Sequence, residues 1–302
     1  MTRRSTAQRL KRGTTEWINV EQARTVDVQS LVHPFHLTDE DVRLVLDTSP
    51  RSRLFLRQGY LMVFLVHPVY NAVHDDVFMR ELDVLLTPHL IGTVHHGSFD
   101  HVSNLFQEFR TKKTSPLGDP ALIFADILSL LIGDVYNILE VLAKKIDEIE
   151  DRVFRDRRDL LQEILNIQTN LIDLQKSLES RTTFIDRLLA ALPKRGSPLR
   201  ITAFAELHRQ TAELQDSLTT EYQTIVTLHR AHETYLNSRT NRLIYILTSV
   251  TIIAMPATLL AGIFGMNTKH PWILGAEMDF SIIIGIMVLS GMFLWLSLRR
   301  KK

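Results

Sequence analysis

Polar and small residues recur at a fixed interval inside a long apolar segment near the C-terminus. The set with a seven-residue interval is Asn241, Thr248, Met255 and Gly262. Thr251 and Thr258 fall close to the same stripe, and most other positions carry Leu, Ile or Val. Seven residues make about two helical turns, so these side chains share one face. Because a polar face is costly against lipid, the stripe should face water or protein, unless its small residues only let helices pack closely.

The sequence around this stripe predicts two membrane-spanning helices. Residues 243–264 and 280–298 are each long and apolar enough to cross a bilayer, and residues 265–279 connect them. Arg239 and Arg242 precede the first span and four cations end the chain, whereas the connection holds one lysine and two acids. The excess of positive charge predicts that both termini are cytoplasmic and that residues 265–279 form an outer loop.

Composition narrows the function classes. The 302 residues include 35 basic and 34 acidic side chains and no cysteine, which gives a net charge of +1. Near-neutral charge argues against a nucleic-acid partner, and the lack of cysteine agrees with a reducing compartment. The sequence has no phosphate-binding loop, zinc-protease motif or nucleophile elbow, so we expect no enzyme.

The region before the spans divides into three parts. Residues 1–16 are rich in Arg and Lys and predict a basic tail. Residues 17–118 alternate apolar runs with turn residues, which predicts a cytoplasmic α/β domain with a small sheet, and Thr38 should cap a short helix. Residues 119–242 carry apolar side chains three or four positions apart and predict a bundle of long helices with a stalk, opened by Asp119 and Pro120. The pore domain is then 243–302.

Gly265, Met266 and Asn267 follow the first span directly, and the second span comes a short loop later. With Met255 and Pro256 upstream and the basic C-terminus, this arrangement resembles the CorA superfamily of divalent metal cation transporters, which includes ZntB zinc transporters. The likeness extends from about Trp17 to the end of the chain.

The resemblance implies a funnel-shaped homopentamer, an α+β protein of the bacterial inner membrane. Asn267 would form the ring at the outer mouth, and Gly265 and Met266 would shape the turn that presents it. Carboxamide oxygens can hold a hydrated magnesium ion through its waters. The residues that would line the path are Asn241, Ile244, Leu247, Thr248, Thr251, Met255, Thr258 and Gly262.

Family members also close when cytoplasmic ions bridge acidic residues between subunits. By position, the stalk carboxylate of that site falls on Glu206, and its partner falls on Asn71. An amide is a poorer ligand than a carboxylate, so we expect a weakened or displaced sensor, with Asp75 and Asp76 as substitutes. The outer loop also differs from that of many magnesium-transporting relatives, in which acidic residues soon follow the motif. Here His270 comes first, and Glu277 and Asp279 lie at the end of the loop.

Three hypotheses remain at this level. The first is uptake of Mg²⁺, or of Co²⁺ or Ni²⁺, as cargo and regulator, with no other cofactor. The second is ZntB-like zinc/proton symport, and the third is a membrane-anchored coiled-coil scaffold. A separate metal site at His95, His96, Asp100 and His101 is a weaker hypothesis, because these residues match no known ligand spacing.

Overall fold

A six-stranded sheet forms the centre of the N-terminal part. In a computed structural model, the structure describes residues 7–21, 24–49, 52–111, 118–153, 160–191, 198–265 and 279–299. The strands are β1 (Ala7–Arg12), β2 (Thr15–Val20), β3 (Arg53–Leu56), β4 (Leu61–Asn71), β5 (Asp76–Leu86) and β6 (Leu90–His95). Their order is β1-β2-β6-β5-β4-β3, and only the described pair β2 and β6 runs parallel.

Helices cover both faces of the sheet. The described helices are α1 (Thr25–Phe35), α2 (Asp39–Leu46), α3 (Asp100–Thr111), α4 (Pro120–Arg152), α5 (Leu161–Ala191), α6 (Pro198–Gly265) and α7 (Asp279–Arg299). Met62 and Phe64 of β4 pack with α1 and α2, while Val63 and Leu65 pack with α3, α4 and α5. Successive strand residues point to opposite faces, so burial on both faces explains why β4 reads as an unbroken apolar run.

The chain divides into two compact units, Met1–His229 and Arg230–Lys302. In the first unit, apolar residues of α6 at near-heptad spacing join the core formed with α4 and α5. These buried residues are Phe204, Leu207, Leu214, Leu218, Ile225 and Leu228. The apolar seam predicted for the stalk is therefore a packed surface over this range.

The predicted basic tail is wrong from Ala7 onward. Residues 7–12 form β1, which pairs with β2 at the edge of the sheet. Leu10 contacts the core, while Arg9 lies 3.9 Å from Glu16 and donates a hydrogen bond to the Ser30 carbonyl. Cations are common on edge strands because they discourage pairing with other chains. The same residues that suggested a tail therefore suit an exposed strand.

Two predicted helix starts are confirmed. Asp119 caps α4 by accepting a hydrogen bond from the Ala121 amide, with Pro120 as the first helical residue. Thr38 caps α2 in a reciprocal capping box with Asp41. The Asp41 side chain is fully buried, where it accepts hydrogen bonds from the Tyr60 hydroxyl and, at 2.9 Å, from Arg57 Nε. Burial raises the pKa of Asp41, but hydrogen bonds from Tyr60 and Thr38 and the Arg57 charge outweigh this effect and lower it.

We predict that Asp41→Ala destabilises the first unit by about 3 kcal/mol, because it removes one half of the capping box and leaves the partly buried Tyr60 and Arg57 donors without an acceptor. Since the folded-state pKa is lowered, this stabilisation is present above the ordinary pKa of about 3.9 and is lost as pH falls through the folded value. Denaturant unfolding at neutral pH measures the loss. Asp39→Ala is the control, because Asp39 sits exposed in the same helical turn. Equal effects of the two changes would contradict the role of the buried network.

Candidate functional site: the polar face of α6 and the cytoplasmic acidic groups

The predicted path residues all lie on one side of α6 in the second unit. Every one of them is exposed in the single chain, with Leu247 and Met255 exposed by 69% and 68%. The exposed set is Asn241, Ile244, Leu247, Thr248, Thr251, Met255, Thr258 and Gly262. The polar stripe is therefore a continuous surface that nothing in the described part of the chain buries.

The other side of α6 faces α7. A Cβ added at Gly291 would lie 3.6 Å from Ile253 Cγ2, so the two helices approach closely there. The partly covered residues of α6 around this contact are Ser249, Ile253, Pro256, Ala257 and Leu260. At about 100° per residue, the centre of this covered face lies about 180° from the centre of the polar stripe. α7 thus packs on one side of α6 and leaves the stripe open on the other.

Two threonine hydroxyls of the stripe already donate hydrogen bonds to the backbone of α6. Thr251 Oγ1 donates to the Leu247 carbonyl at 2.9 Å, and Thr258 Oγ1 donates to the Ala254 carbonyl at 3.1 Å. Each hydroxyl oxygen keeps lone pairs that can accept hydrogen bonds. The stripe can therefore accept hydrogen bonds from water or from the waters of a hydrated cation without breaking the helix.

At the outer end of the stripe, the structure describes only the two residues that flank the loop. Gly265 is the last residue of α6 and Asp279 is the first residue of α7. Met266, Asn267, His270 and Glu277 lie outside the described residues. Their assigned roles remain predictions.

In the first unit, the candidate sensor residues of the β4–β5 turn are occupied by local contacts. Asn71 Oδ1 accepts hydrogen bonds from the Val73 amide at 3.0 Å and the His74 amide at 3.4 Å. Asp75 pairs with Lys145 of α4 and accepts a hydrogen bond of 2.7 Å from the Tyr70 hydroxyl. Burial raises the pKa of Asp75, but its bonds to Lys145 and Tyr70 prevail and lower it. Asp76 is exposed at the start of β5.

Glu206 is exposed on α6 and is also paired within the chain. Arg209 donates to its carboxylate at 2.5 and 2.9 Å, and Gln210 donates to it at 3.0 Å. The hydrogen bond from Arg209 is the main reason that the pKa of Glu206 is lowered. A cation that binds Glu206 must therefore compete with a fixed guanidinium.

The histidines after β6 do not form one group. His101 Nε2 lies 3.0 Å from Asp134 Oδ1, and His67 Nε2 lies 3.5 Å from the other oxygen of the same carboxylate. His96 instead approaches Asp83 at 2.9 Å. The hypothesis of a site at His95, His96, Asp100 and His101 is therefore wrong, because His96 contacts Asp83 of the sheet whereas His101 lies on α3 and contacts Asp134 of α4.

Sequence reasoning missed a group that the sheet brings together. Among the described residues, only Glu81, Asp83 and His96 place three carboxylate or imidazole ligand atoms within 4.8 Å of one another. Burial and the neighbouring Glu81 raise the pKa of Asp83 well above its ordinary value. The overlooked signal is the pattern of β5, where Glu81 and Asp83 alternate with core residues on a strand buried on both faces.

An α/β domain followed by a long helix with an apolar segment and an open polar stripe is typical of membrane transport proteins. A family model described as CorA-like Mg²⁺ transporter protein matches residues 13–300, and the chain belongs to this family. The cobalt/magnesium transport protein CorA of Thermotoga maritima is 21% identical over 301 residues, which cover 96% of this chain and 83% of that protein.

Solved structures agree with this assignment. The complete CorA magnesium transporter of Methanocaldococcus jannaschii superposes with a TM-score of 0.85 at 20% identity and covers 97% of this chain and 92% of its own. The ZntB cytoplasmic domain of Vibrio parahaemolyticus gives a TM-score of 0.61 at 12% identity, with 74% and 88% covered. These likenesses show the shared fold, and the predicted membership of the CorA superfamily is confirmed.

Hydropathy marks two helices of the described residues as candidate spans. One is α4, but 56% of its apolar window is buried in the first unit, so it is a core helix. The other is the range 199–263 of α6, whose apolar window is not buried in the chain. α7 contributes the shorter apolar helix 281–296.

The opposite faces of α6 predict opposite accessibilities to water. The chain has no cysteine, so single replacements can be labelled without background. Thr251→Cys and Thr258→Cys should react with a charged thiol reagent on the order of ten times faster than Ile253→Cys and Ala257→Cys, because a thiol ionises where water solvates it. Labelling rates in liposomes measure this difference. Equal rates on the two faces would contradict a wet stripe.

Proposed function

We propose that this protein is a channel-type transporter that carries a divalent cation across the membrane, with Mg²⁺ as its main substrate and Co²⁺ or Ni²⁺ as further substrates. The observation that supports this proposal most is the polar stripe of α6, which lies opposite the face that contacts α7. Membership of the CorA-like Mg²⁺ transporter family supports the choice of ion class. The zinc/proton alternative gains no support from the stripe, which carries oxygen donors and methionine but no histidine.

The polar stripe can line an aqueous path only if several copies of the chain assemble. Two helices cannot enclose an aqueous path, and α7 covers only one side of α6. In a homopentamer, each α6 turns its stripe inward and each α7 forms the outer ring. The polar side chains then meet water instead of lipid, which removes the cost of placing them in hydrocarbon. Residues 1–242 and both termini lie in the cytoplasm of a bacterial cell, by the positive-inside rule.

Ion selection takes place at the outer mouth. Five Asn267 carboxamides accept hydrogen bonds from the waters of a hydrated Mg²⁺, which gives up its waters reluctantly. Gly265 and Met266 shape the turn that presents this ring, and Glu277 and Asp279 attract cations toward it. Carboxamides bind the ion weakly enough to release it, as conduction requires. We expect no role for His270 in magnesium binding, because histidine favours zinc or nickel over magnesium.

Deeper in the path, apolar side chains form a constriction. Ile244, Leu247 and Met255 lie on the stripe between its polar members, and all three are exposed in the single chain. Five copies of each make apolar rings that close the path by excluding water. The membrane potential drives uptake without an enzymatic step, because a divalent cation gains roughly 4 to 5 kcal/mol per 100 mV.

The carboxamide ring predicts the effect of two substitutions. Asn267→Ala should reduce Mg²⁺ uptake into liposomes at least about tenfold, because an apolar ring cannot accept hydrogen bonds from the hydrated ion. Asn267→Asp should tighten apparent binding and lower the maximal rate, because carboxylates release the ion more slowly.

The control for these variants is Asn166→Ala, which makes the same change at an exposed position of α5. Uptake of Mg²⁺, Co²⁺, Ni²⁺ and Zn²⁺ is measured with and without a pH gradient, and the oligomer is sized in parallel. Uptake of zinc alone, coupled to protons, would contradict the magnesium proposal. Unchanged Mg²⁺ uptake by intact Asn267→Ala oligomers would contradict the pore and favour a tether.

Control by internal cations is weakened in this chain. Two of the three acidic candidates are compensated within the protomer, Glu206 by Arg209 and Asp75 by Lys145, whereas Asp76 is exposed at the start of β5. Asn71 offers only an amide, and its oxygen is used in the local turn. Divalent cations bind more weakly where fewer free carboxylate oxygens are available.

Removing the Arg209 side chain from Glu206 should restore the sensitivity of uptake to internal Mg²⁺. We predict that Arg209→Gln lowers the internal Mg²⁺ concentration that halves uptake by several-fold, because the carboxylate no longer shares its charge with a guanidinium. The measurement is uptake into liposomes preloaded with graded Mg²⁺. Arg152→Gln, which breaks the exposed 2.8 Å pair with Glu163, is the control. A shift of the same size in both variants would exclude a specific role for Glu206.

A further inference from the structure

We propose that Glu81, Asp83 and His96 form a resident binding site for a first-row transition-metal cation of the Zn²⁺ or Co²⁺ type within the cytoplasmic domain of each chain. The proposal does not depend on the transport path, because all three residues belong to the first unit and none lies on the stripe of α6. Their ligand atoms lie within 4.8 Å of one another. Two carboxylates and one imidazole are a donor set suited to zinc and cobalt.

The sheet fixes these donors on one face. Glu81 and Asp83 are two residues apart on β5, so their side chains point the same way, toward the layer that holds α1 and α2. His96 follows β6, and its amide donates a 3.0 Å hydrogen bond to the Glu81 carbonyl. Ligands placed on paired strands are held more firmly than ligands on loops.

Two carboxylate oxygens have no hydrogen-bond partner outside the group. Within the residues that the structure describes, Glu81 Oε1 and Asp83 Oδ1 are buried and accept no hydrogen bond from any other residue. A hydrogen bond between the two carboxyl groups contributes to the raised pKa of Asp83. Their residues are 4% and 1% exposed. A buried carboxylate oxygen without a donor is costly, and a bound cation removes that cost. The other Glu81 oxygen is used, because it accepts a 2.6 Å hydrogen bond from the Ser49 amide.

The imidazole is oriented as a metal ligand would be. His96 Nε2 faces Asp83 Oδ2 at 2.9 Å, and the ring also hydrogen-bonds to the backbone of Val45. A backbone carbonyl that accepts the proton of one ring nitrogen leaves a lone pair on the other, which is the usual arrangement around metal-binding histidines. That nitrogen lies 2.9 Å from Asp83 Oδ2, where either a proton on the carboxyl group or a cation between the two atoms makes the contact favourable.

A neighbouring arginine sets the charge of the site. The Arg53 guanidinium lies 4.7 Å from the centre of the Phe64 ring and on the face of the sheet that carries Asp83. Its positive charge partly offsets the two carboxylates, so the cation binds less tightly than the donor set alone would allow. An open cavity of about 370 Å³, lined by Ser49, Glu81 and His96, gives a route from solvent.

The experiment measures zinc binding to the purified full-length protein. The protein is stripped with EDTA and titrated with Zn²⁺ in detergent, with millimolar Mg²⁺ present to fill sites made of oxygen alone. We expect one tight Zn²⁺ per chain, and we expect Asp83→Asn, Glu81→Gln and His96→Gln each to weaken it on the order of a hundredfold. Arg53→Gln should tighten it. Unchanged binding in the three ligand variants would overturn the proposal.

His101→Gln is the matched control, because it removes a different histidine that contacts a carboxylate, that of Asp134. Loss of the tight zinc in His101→Gln, with retention in His96→Gln, would also overturn the site. X-ray absorption at the zinc edge of the unmodified protein identifies the zinc ligands directly, so the proposal can be tested even if a variant with a buried substitution fails to fold. A single imidazole with oxygen donors supports the site, and a spectrum without imidazole refutes it.

Discussion

Polar side chains in the middle of an apolar helix cost free energy unless they meet water or protein, and this constraint governs the second unit. α7 packs against the side of α6 that carries Ile253, Ala257 and Leu260, which have no polar group beyond the backbone. The face with Thr251 and Thr258 is left open. The described part of the chain therefore leaves this polar face uncovered, and this is why we propose that copies of the chain assemble around water.

The first unit meets a related constraint within its sheet. Strand β5 is buried on both faces from Glu81 to Leu86, so a charged side chain there is largely removed from solvent. Glu81 and Asp83 nevertheless occupy β5, and each leaves an oxygen without a hydrogen-bond partner in the described structure. Apolar residues would fill these positions at lower cost. Their presence, together with His96 and Arg53, points to a role that the stability of the fold alone does not explain.

The sequence was most informative where one local rule decides the structure. Asp119 and Thr38 begin helices as predicted, because capping depends on a few neighbouring residues. The seven-residue interval placed its members on one face of α6, because helical periodicity is fixed by geometry. The sequence was least informative where distant segments meet. It could not show that β1 adds to the edge of the sheet, or that β5 brings Glu81 and Asp83 to His96, because strand pairing depends on tertiary context.

Among the candidate sensor carboxylates, Asp75 and Glu206 differ in their exposure to solvent. Asp75 is held by Lys145 and Tyr70 in a half-buried setting, with a left-handed backbone that fixes the turn. Glu206 is exposed, and its pairing with Arg209 is screened by solvent and salt. Exposed ion pairs contribute little to stability, so a divalent cation displaces Arg209 more easily than it displaces Lys145. Of these two carboxylates, Glu206 is therefore the one from which a divalent cation displaces the paired cation more easily.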